Sequence, residues 1–152
     1  MRAVAQRCRA AAVRVDDALV AEIGPGLCVF VAAGQDDGAD DVRYMAAKLA
    51  GLRVFPLAAD DRRMDRCLAE VGGTLLLVPQ FTLYGDIRRG LRPDFRAAAA
   101  PEAGRAVLAD LVAALRTAGV RVAEGIFGAD MRVLVDNDGP VTIWIESPRG
   151  RG

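Results

Sequence analysis

Two short segments break the strand-building pattern around them, and both carry groups that can do chemistry. In Val78-Pro79-Gln80-Phe81-Thr82-Leu83, a proline sits inside a long apolar run. Proline has no amide hydrogen and is poorly tolerated in a central strand, so the strand is expected to end, bulge or lie at an edge near Pro79. Gln80 and Thr82 would project from that irregularity. Free backbone amides beside such an irregularity could bind a carbonyl oxygen and the negative charge it develops. The plainer alternative is a bulged edge strand with a surface Gln and Thr.

The second segment is Asn137-Asp138-Gly139-Pro140-Val141-Thr142. Between apolar runs, Asn-Asp-Gly reads first as a tight hairpin turn. The proline after glycine adds a second possibility, because an X-Pro bond can be cis and then presents its carbonyl in an unusual direction. A Gly-Pro edge is rigid and almost without side chain, so it can crowd one substituent of a ligand's chiral carbon and accept the other. A third feature is the loop Gly85 to Arg96, where Arg88, Arg89, Arg92 and Arg96 form a local anion site suited to phosphate. A solvated charged loop fits the same composition.

What the chain lacks narrows the chemistry further. Its 152 residues contain no histidine, which removes a Ser-His-Asp triad, a Cys-His dyad and any His-ligated metal. Cys8, Cys28 and Cys67 are widely spaced with no CxxC, so neither a disulfide framework nor a zinc site is expected. Cys28, inside Leu27 to Val31, reads as a small apolar core residue. Asp60, Asp61, Asp65 and Glu70 alternate with Arg62, Arg63 and Arg66 and are expected to neutralise one another on the surface. With 20 Lys+Arg against 20 Asp+Glu, a uniformly basic coat for nucleic acid is excluded, though not a local basic patch. Met1 to Arg7 breaks its apolar pattern too early for a secretory signal, and no run approaches the roughly 18 residues of a membrane span. A reducing cytoplasm is the expected setting.

The elements that must position these segments follow from periodicity. Ala3 to Cys8, Ala11 to Val15 and Leu19 to Ile23 alternate like strands, with a turn at Asp16-Asp17. Leu27 to Ala33 reads as a strand buried on both faces. Ala39 to Leu52 has helical spacing, capped by Asp37 or Asp40 and ended near Gly51. Leu52 to Phe55 is a short strand, Ala58 to Arg66 a loop, and Thr74 to Leu83 a central strand. A second helix runs from Pro101 to Thr117, with Val107, Leu108, Leu111, Val112 and Leu115 as its apolar stripe and Gly119 as its stop. Val120 to Ala123, Met131 to Val135 and Val141 to Ile145 complete the strands. The sum is an α/β (α+β) chain with two main helices, a single domain over 1–146 and a polar, frayed tail over 147–152.

Met1 to Arg7, Gly24-Pro25-Gly26-Leu27, Val71-Gly72-Gly73, Gln80 to Tyr84, Arg92-Pro93, Phe127 to Met131 and Asn137 to Thr142 occur in an order and spacing that resembles the bacterial D-aminoacyl-tRNA deacylases along nearly the whole chain. The resemblance implies a homodimer with a β-barrel-like fold that hydrolyses the ester joining a D-amino acid, or glycine, to the tRNA 3′ end. It implies that the backbone around Gln80, Phe81 and Thr82 binds the scissile carbonyl, with the 3′-terminal adenosine packed nearby. Gly139 and Pro140, as a cis pair inserted across the dimer, would reject L-amino acids by steric exclusion. Arg7, Met131, Asn137 and Thr142 would support that motif, while Arg88, Arg89, Arg92 and Arg96 remain the tRNA-binding candidates. No metal or organic cofactor is implied; the RNA's own 2′-hydroxyl and a water would suffice. The family usually has Ser-Gln-x-Thr where this chain has Pro79-Gln80-Phe81-Thr82. A related animal deacylase group acting on L-alanyl-tRNA begins the motif with Pro-Gln, so shifted specificity is one alternative and a catalytically weakened tRNA-end-binding protein another.

Overall fold

In the computed structural model the described residues are 1–58 and 63–148. The organising element is the first strand, β1 (Arg2–Val15). Ala3 and Ala5 are buried on one parity, then Cys8, then Ala11 and Val13. The parity slips because β1 bulges around Cys8, where its register with the last strand, β8 (Arg132–Glu146), shifts twice. Exposed Arg9 and Ala10 thus interrupt the apolar pattern without interrupting the backbone, and the two strands expected here are one bent strand. A bulge adds twist and re-aims the side chains beyond it.

β8 occupies one edge of β1 along nearly its whole length. The other edge is shared: β2 (Ala18–Ile23) takes the C-terminal half and β3 (Gly26–Ala32) the N-terminal half, both antiparallel. Asp16 and Asp17, both at positive φ, make the tight β1–β2 turn. Beyond β3 the sheet continues in parallel with β6 (Thr74–Pro79) and β7 (Arg121–Glu124). Gly26 starts β3 opposite Thr74, and any side chain there would run into the Thr74 carbonyl. The sheet curls into a nearly closed, barrel-like form in which β2 comes back toward β6 and β7.

Parallel neighbours need crossovers, and two helices supply them. Helix α1 (Ala39–Gly51) follows β3, and α2 (Pro101–Thr117) lies between β6 and β7. Val42, Met45, Ala46 and Leu49 of α1, with Leu108, Leu111, Val112 and Leu115 of α2, bury against Leu27, Val29, Leu75 and Leu77 of the sheet. Truncating any one of these leucines would cost about 2–5 kcal/mol. A second cluster, with Cys8, Val13, Ile23, Cys28, Leu76 and Val78, fills the opposite face.

Several expectations are corrected. The α1 cap is neither Asp37 nor Asp40: the Gly38 amide donates to the Asp41 carboxylate at 3.0 Å. Asp37 instead pairs with the Met1 ammonium at 2.7 Å, and Asp40 with Arg43. β6 stops at Pro79, and Phe81–Tyr84 is a single 3₁₀ turn, not a continuation of the strand. The short strand after α1 is β4 (Phe55–Pro56), paired with β5 (Met64–Arg66) inside the expected loop. Arg53, which the sequence did not group with them, pairs with Asp65 and Glu70; Asp60, Asp61 and Arg62 lie outside the described residues. Ser147, expected in the frayed tail, is buried: its amide donates to the Met1 carbonyl at 2.9 Å and its hydroxyl to Asp41 at 2.6 Å. No helix among the described residues is long and apolar enough to cross a membrane.

Candidate active site

Strand β6 ends because Pro79 cannot donate, and the chain turns at once. Gln80 keeps the last link to the sheet, donating its amide to the Val31 carbonyl at 2.8 Å. The 3₁₀ turn that follows is closed by Leu83 donating to Gln80 and Gly85 donating to Thr82. Neither the Phe81 nor the Thr82 amide has an acceptor among the described residues. Two adjacent donors left free by a turn are what a developing oxyanion requires. The Gln80 side-chain amide donates to the Thr82 hydroxyl, which fixes both side chains on the turn. Phe81 is 59% exposed and rests edge-on against Phe95, ring centres 5.2 Å apart.

Beside this turn lies a cavity of about 280 Å³ at the carboxyl ends of the parallel strands β3 and β6. Val31, Ala33, Pro79, Gln80 and Phe81 form one wall; Phe127 to Met131, with Gly104 and Leu108 of α2, form the other. Crevices at the carboxyl ends of parallel strands are the usual ligand position in such sheets. The sequence placed Met131 with the Gly-Pro segment, but it lines this cavity. Phe127 was legible only as part of a matching motif, since an isolated loop aromatic carries no periodic signal.

The Asn137–Thr142 segment is not a hairpin turn. β8 runs through it as an outward bulge, so that Gln6 faces Thr142 while Cys8 already faces Asn137. A polar network holds the bulge. Asn137 donates its side-chain amide to the Arg7 carbonyl at 2.8 Å and to the Val141 carbonyl at 3.3 Å, and Gln6 donates to the Thr142 hydroxyl at 3.2 Å. Arg7, largely buried, sets its Nε 2.9 Å from an Asp138 carboxylate oxygen and donates to the Val54 carbonyl. Gly139 has φ +109°, a backbone conformation that favours glycine, and a Cβ there would lie 2.7 Å from an Arg7 guanidinium nitrogen and displace it. The expected cis bond is not found. The Gly139–Pro140 peptide is trans, the ordinary preference of an X-Pro bond, and the turn is taken up by the positive φ of Gly139. Gly139 and Pro140 are exposed and do not line the cavity of their own chain. Asp138, the partner that fixes Arg7, was missed by the sequence reading because an aspartate in Asn-Asp-Gly is fully explained as a turn residue.

A scan against protein-family models matches residues 4–146 to the family described as D-Tyr-tRNA(Tyr) deacylase. The chain belongs to that family. Among curated bacterial members, the D-aminoacyl-tRNA deacylase of Anaeromyxobacter dehalogenans is 51% identical over 98% of this chain and 99% of its own length. That of Sorangium cellulosum is 52% identical over the same shares. Of solved structures, one titled c-Myc DNA Unwinding Element Binding Protein superposes with a TM-score of 0.91 at 34% identity, covering 98% of this chain and 100% of that one. A probable eukaryotic D-amino acid tRNA deacylase shares the fold at a TM-score of 0.81 and 21% identity, covering 95% and 97%.

For a D-Tyr-tRNA(Tyr) deacylase family member, the remaining candidates sort by their neighbours. Burial pushes the Cys28 thiol up to about 12 and raises that of Cys8, so both stay neutral and serve as core. The arginine loop is a closed hairpin in which Asp86 and Asp94 exchange backbone hydrogen bonds of 2.8 and 2.9 Å. Arg88 is held by Asp86 and Arg96 by Asp94, each at 2.6 Å. The hydrogen bond from Arg88 keeps the Asp86 carboxyl well below the usual carboxylate range. Arg89 and Arg92 have no ion-pair partner among the described residues and are exposed. The loop reaches the site through Phe95, which touches Phe81.

Proposed function

We propose that the protein hydrolyses the ester between a D-amino acid, or glycine, and the 3′-terminal ribose of tRNA, working as a cytoplasmic homodimer. The observation that carries this reading is the turn whose Phe81 and Thr82 amides have no acceptor among the described residues, with Gln80 and Phe81 lining the Phe127 cavity, in a chain of this family. The 3′-terminal adenosine occupies the cavity with Phe127 against it. The carbonyl oxygen of the ester receives the Phe81 and Thr82 amides. Water adds to the carbonyl carbon, the charge on oxygen grows toward the two donors, and the carbon–O3′ bond breaks. The neighbouring 2′-hydroxyl of the ribose relays the proton to the leaving oxygen. No side-chain nucleophile is needed, which suits a segment with proline in place of serine. Each donor aimed at the oxyanion is worth about 2.7–4 kcal/mol of barrier.

Stereochemical choice then falls to Gly139 and Pro140 of a second copy. They are exposed and do not line their own cavity, and a partner's cavity is where they would act. An apolar row supports pairing: Val4 lies between partly buried Phe30 and Trp144 across three strands, and Trp144 is 51% exposed. The test is hydrolysis of D-tyrosyl-, glycyl- and L-alanyl-tRNA side by side. Turnover of the first two with L-alanyl-tRNA spared is expected. Turnover of L-alanyl-tRNA alone would assign the animal-type specificity instead, and binding of all three without turnover would mark an inactive tRNA-end binder.

A further inference from the structure

The cavity has a cation at its edge that no motif singles out. Arg105, in the second turn of α2, follows cavity-lining Gly104 and sets its guanidinium over the ring of cavity-lining Phe127, 4.7 Å from the ring centre. It is exposed, and no carboxylate among the described residues lies within ion-pair distance of it, although Glu102 stands one turn earlier on the same helix. An arginine resting on an aromatic face has its donors already oriented, because the flat guanidinium loses part of its freedom to the stack and keeps its outer N–H groups available. Its partner is therefore expected from outside the chain.

We infer that Arg105 binds the phosphodiester that joins the terminal nucleoside of the substrate to the rest of the RNA. The inference rests on the reading that a nucleoside ester fills the Phe127 cavity. A nucleoside seated against Phe127 must leave its 5′-phosphate at the mouth of the cavity, and Arg105 is the cation standing beside that ring. Asp130, which also lines the cavity, increases the need for a compensating positive charge there. Arg105 is set apart from the arginine loop: it would hold the last phosphate of the strand, and any contact of Arg89 or Arg92 would be with RNA beyond it. It would discriminate a polynucleotide ester from a free nucleoside ester, and it would be indifferent to the configuration of the amino acid.

The experiment compares two probes, the D-tyrosyl ester of adenosine, which has no phosphate, and the same ester at the 3′ end of a trinucleotide. For the unaltered protein, kcat/KM should favour the trinucleotide ester by about tenfold, the size of one charge-assisted contact at a partly exposed site. Arg105→Gln should erase most of that preference, mainly through KM, and lower the slope of log KM against log salt by about 0.7, the share of one single-strand phosphate. Arg105→Lys, which keeps the charge, should retain the larger part of the preference. An unchanged ratio in Arg105→Gln, with both esters hydrolysed, would overturn the assignment and leave the deacylase reading standing. A lysine variant whose salt slope falls as far as the glutamine one's would reduce Arg105 to packing on Phe127, because that slope follows the charge and not the stack. Failure of the unaltered protein to hydrolyse either ester would remove the deacylase reading and this inference together.

Discussion

Pro79, standing where the resemblance leads one to expect serine, separates two kinds of catalyst. Were a side-chain hydroxyl at this position the nucleophile, proline would abolish turnover. In the arrangement found, the amides of Phe81 and Thr82 have no acceptor among the described residues, and the strand hydrogen bond is made by Gln80, one residue later. Position 79 needs neither a hydroxyl nor an N–H. Pro79→Ser is therefore expected to change kcat on D-tyrosyl-tRNA by less than about threefold, against the 10²–10³-fold typical for loss of an oxyanion donor. Single-turnover rates of the two proteins decide the matter, and rescue of an inactive natural protein by serine would refute the amide mechanism. At this scale the sequence was informative where a residue contradicts its surroundings. Pro79 inside an apolar run and Gly139 before proline both announced themselves. Asp138 and Arg105 did not, because one is ordinary in a turn and the other ordinary on a helix surface.

At the scale of elements, periodicity located both helices and most strands, since burial on one face leaves a repeat that survives in sequence. It failed where a strand bends. β1 bulges near Cys8 and β8 bulges at Asn137–Thr142, and each was read as two strands because the alternation changes parity across a bulge. The failure is useful, since the β8 bulge is the feature that carries Gly139 and Pro140 outward. The arginine loop shows the same limit. Four like charges are equal in sequence, but the fold assigns Arg88 and Arg96 to the internal aspartates Asp86 and Asp94. Replacing Arg89 and Arg92 by alanine is thus expected to raise KM for charged tRNA severalfold. The salt dependence of binding should fall by roughly 1.4–1.8 log units per log unit of salt. Replacing Arg88 and Arg96 together with Asp86 and Asp94 by Gln and Asn should change that slope little. Equal effects of the two sets, measured by tRNA binding across a salt series, would restore the four-arginine patch.

For the whole molecule, the proposed rejection of L-amino acids by Gly139 and Pro140 needs a second copy of the chain. One chain holds the Phe127 cavity and, elsewhere, an exposed Gly139–Pro140 edge fixed by Arg7 and Asp138. Within one chain the edge does not line the cavity. Light scattering should therefore give twice the chain mass of 16.1 kDa, and a charged residue in place of Trp144 should shift the protein toward monomer and lower activity with it. A stable monomer of full activity would show that the edge acts otherwise or not at all. The homodimer was expected from the resemblance, not from periodicity, because partly exposed residues such as Val4, Phe30 and Trp144 look in sequence like any strand surface.

The cavity, with backbone donors and no side-chain nucleophile, is proposed to remove D-amino acids from tRNA and spare their mirror images. The measurement that bears on it most directly is the rate at which the natural protein deacylates D-tyrosyl-tRNA and L-tyrosyl-tRNA at equal concentration. A preference for the D-ester of at least about 10³-fold is expected, which steric rejection supplies with about 4 kcal/mol. Comparable rates on the two esters, or a preference for the L-ester, would contradict it.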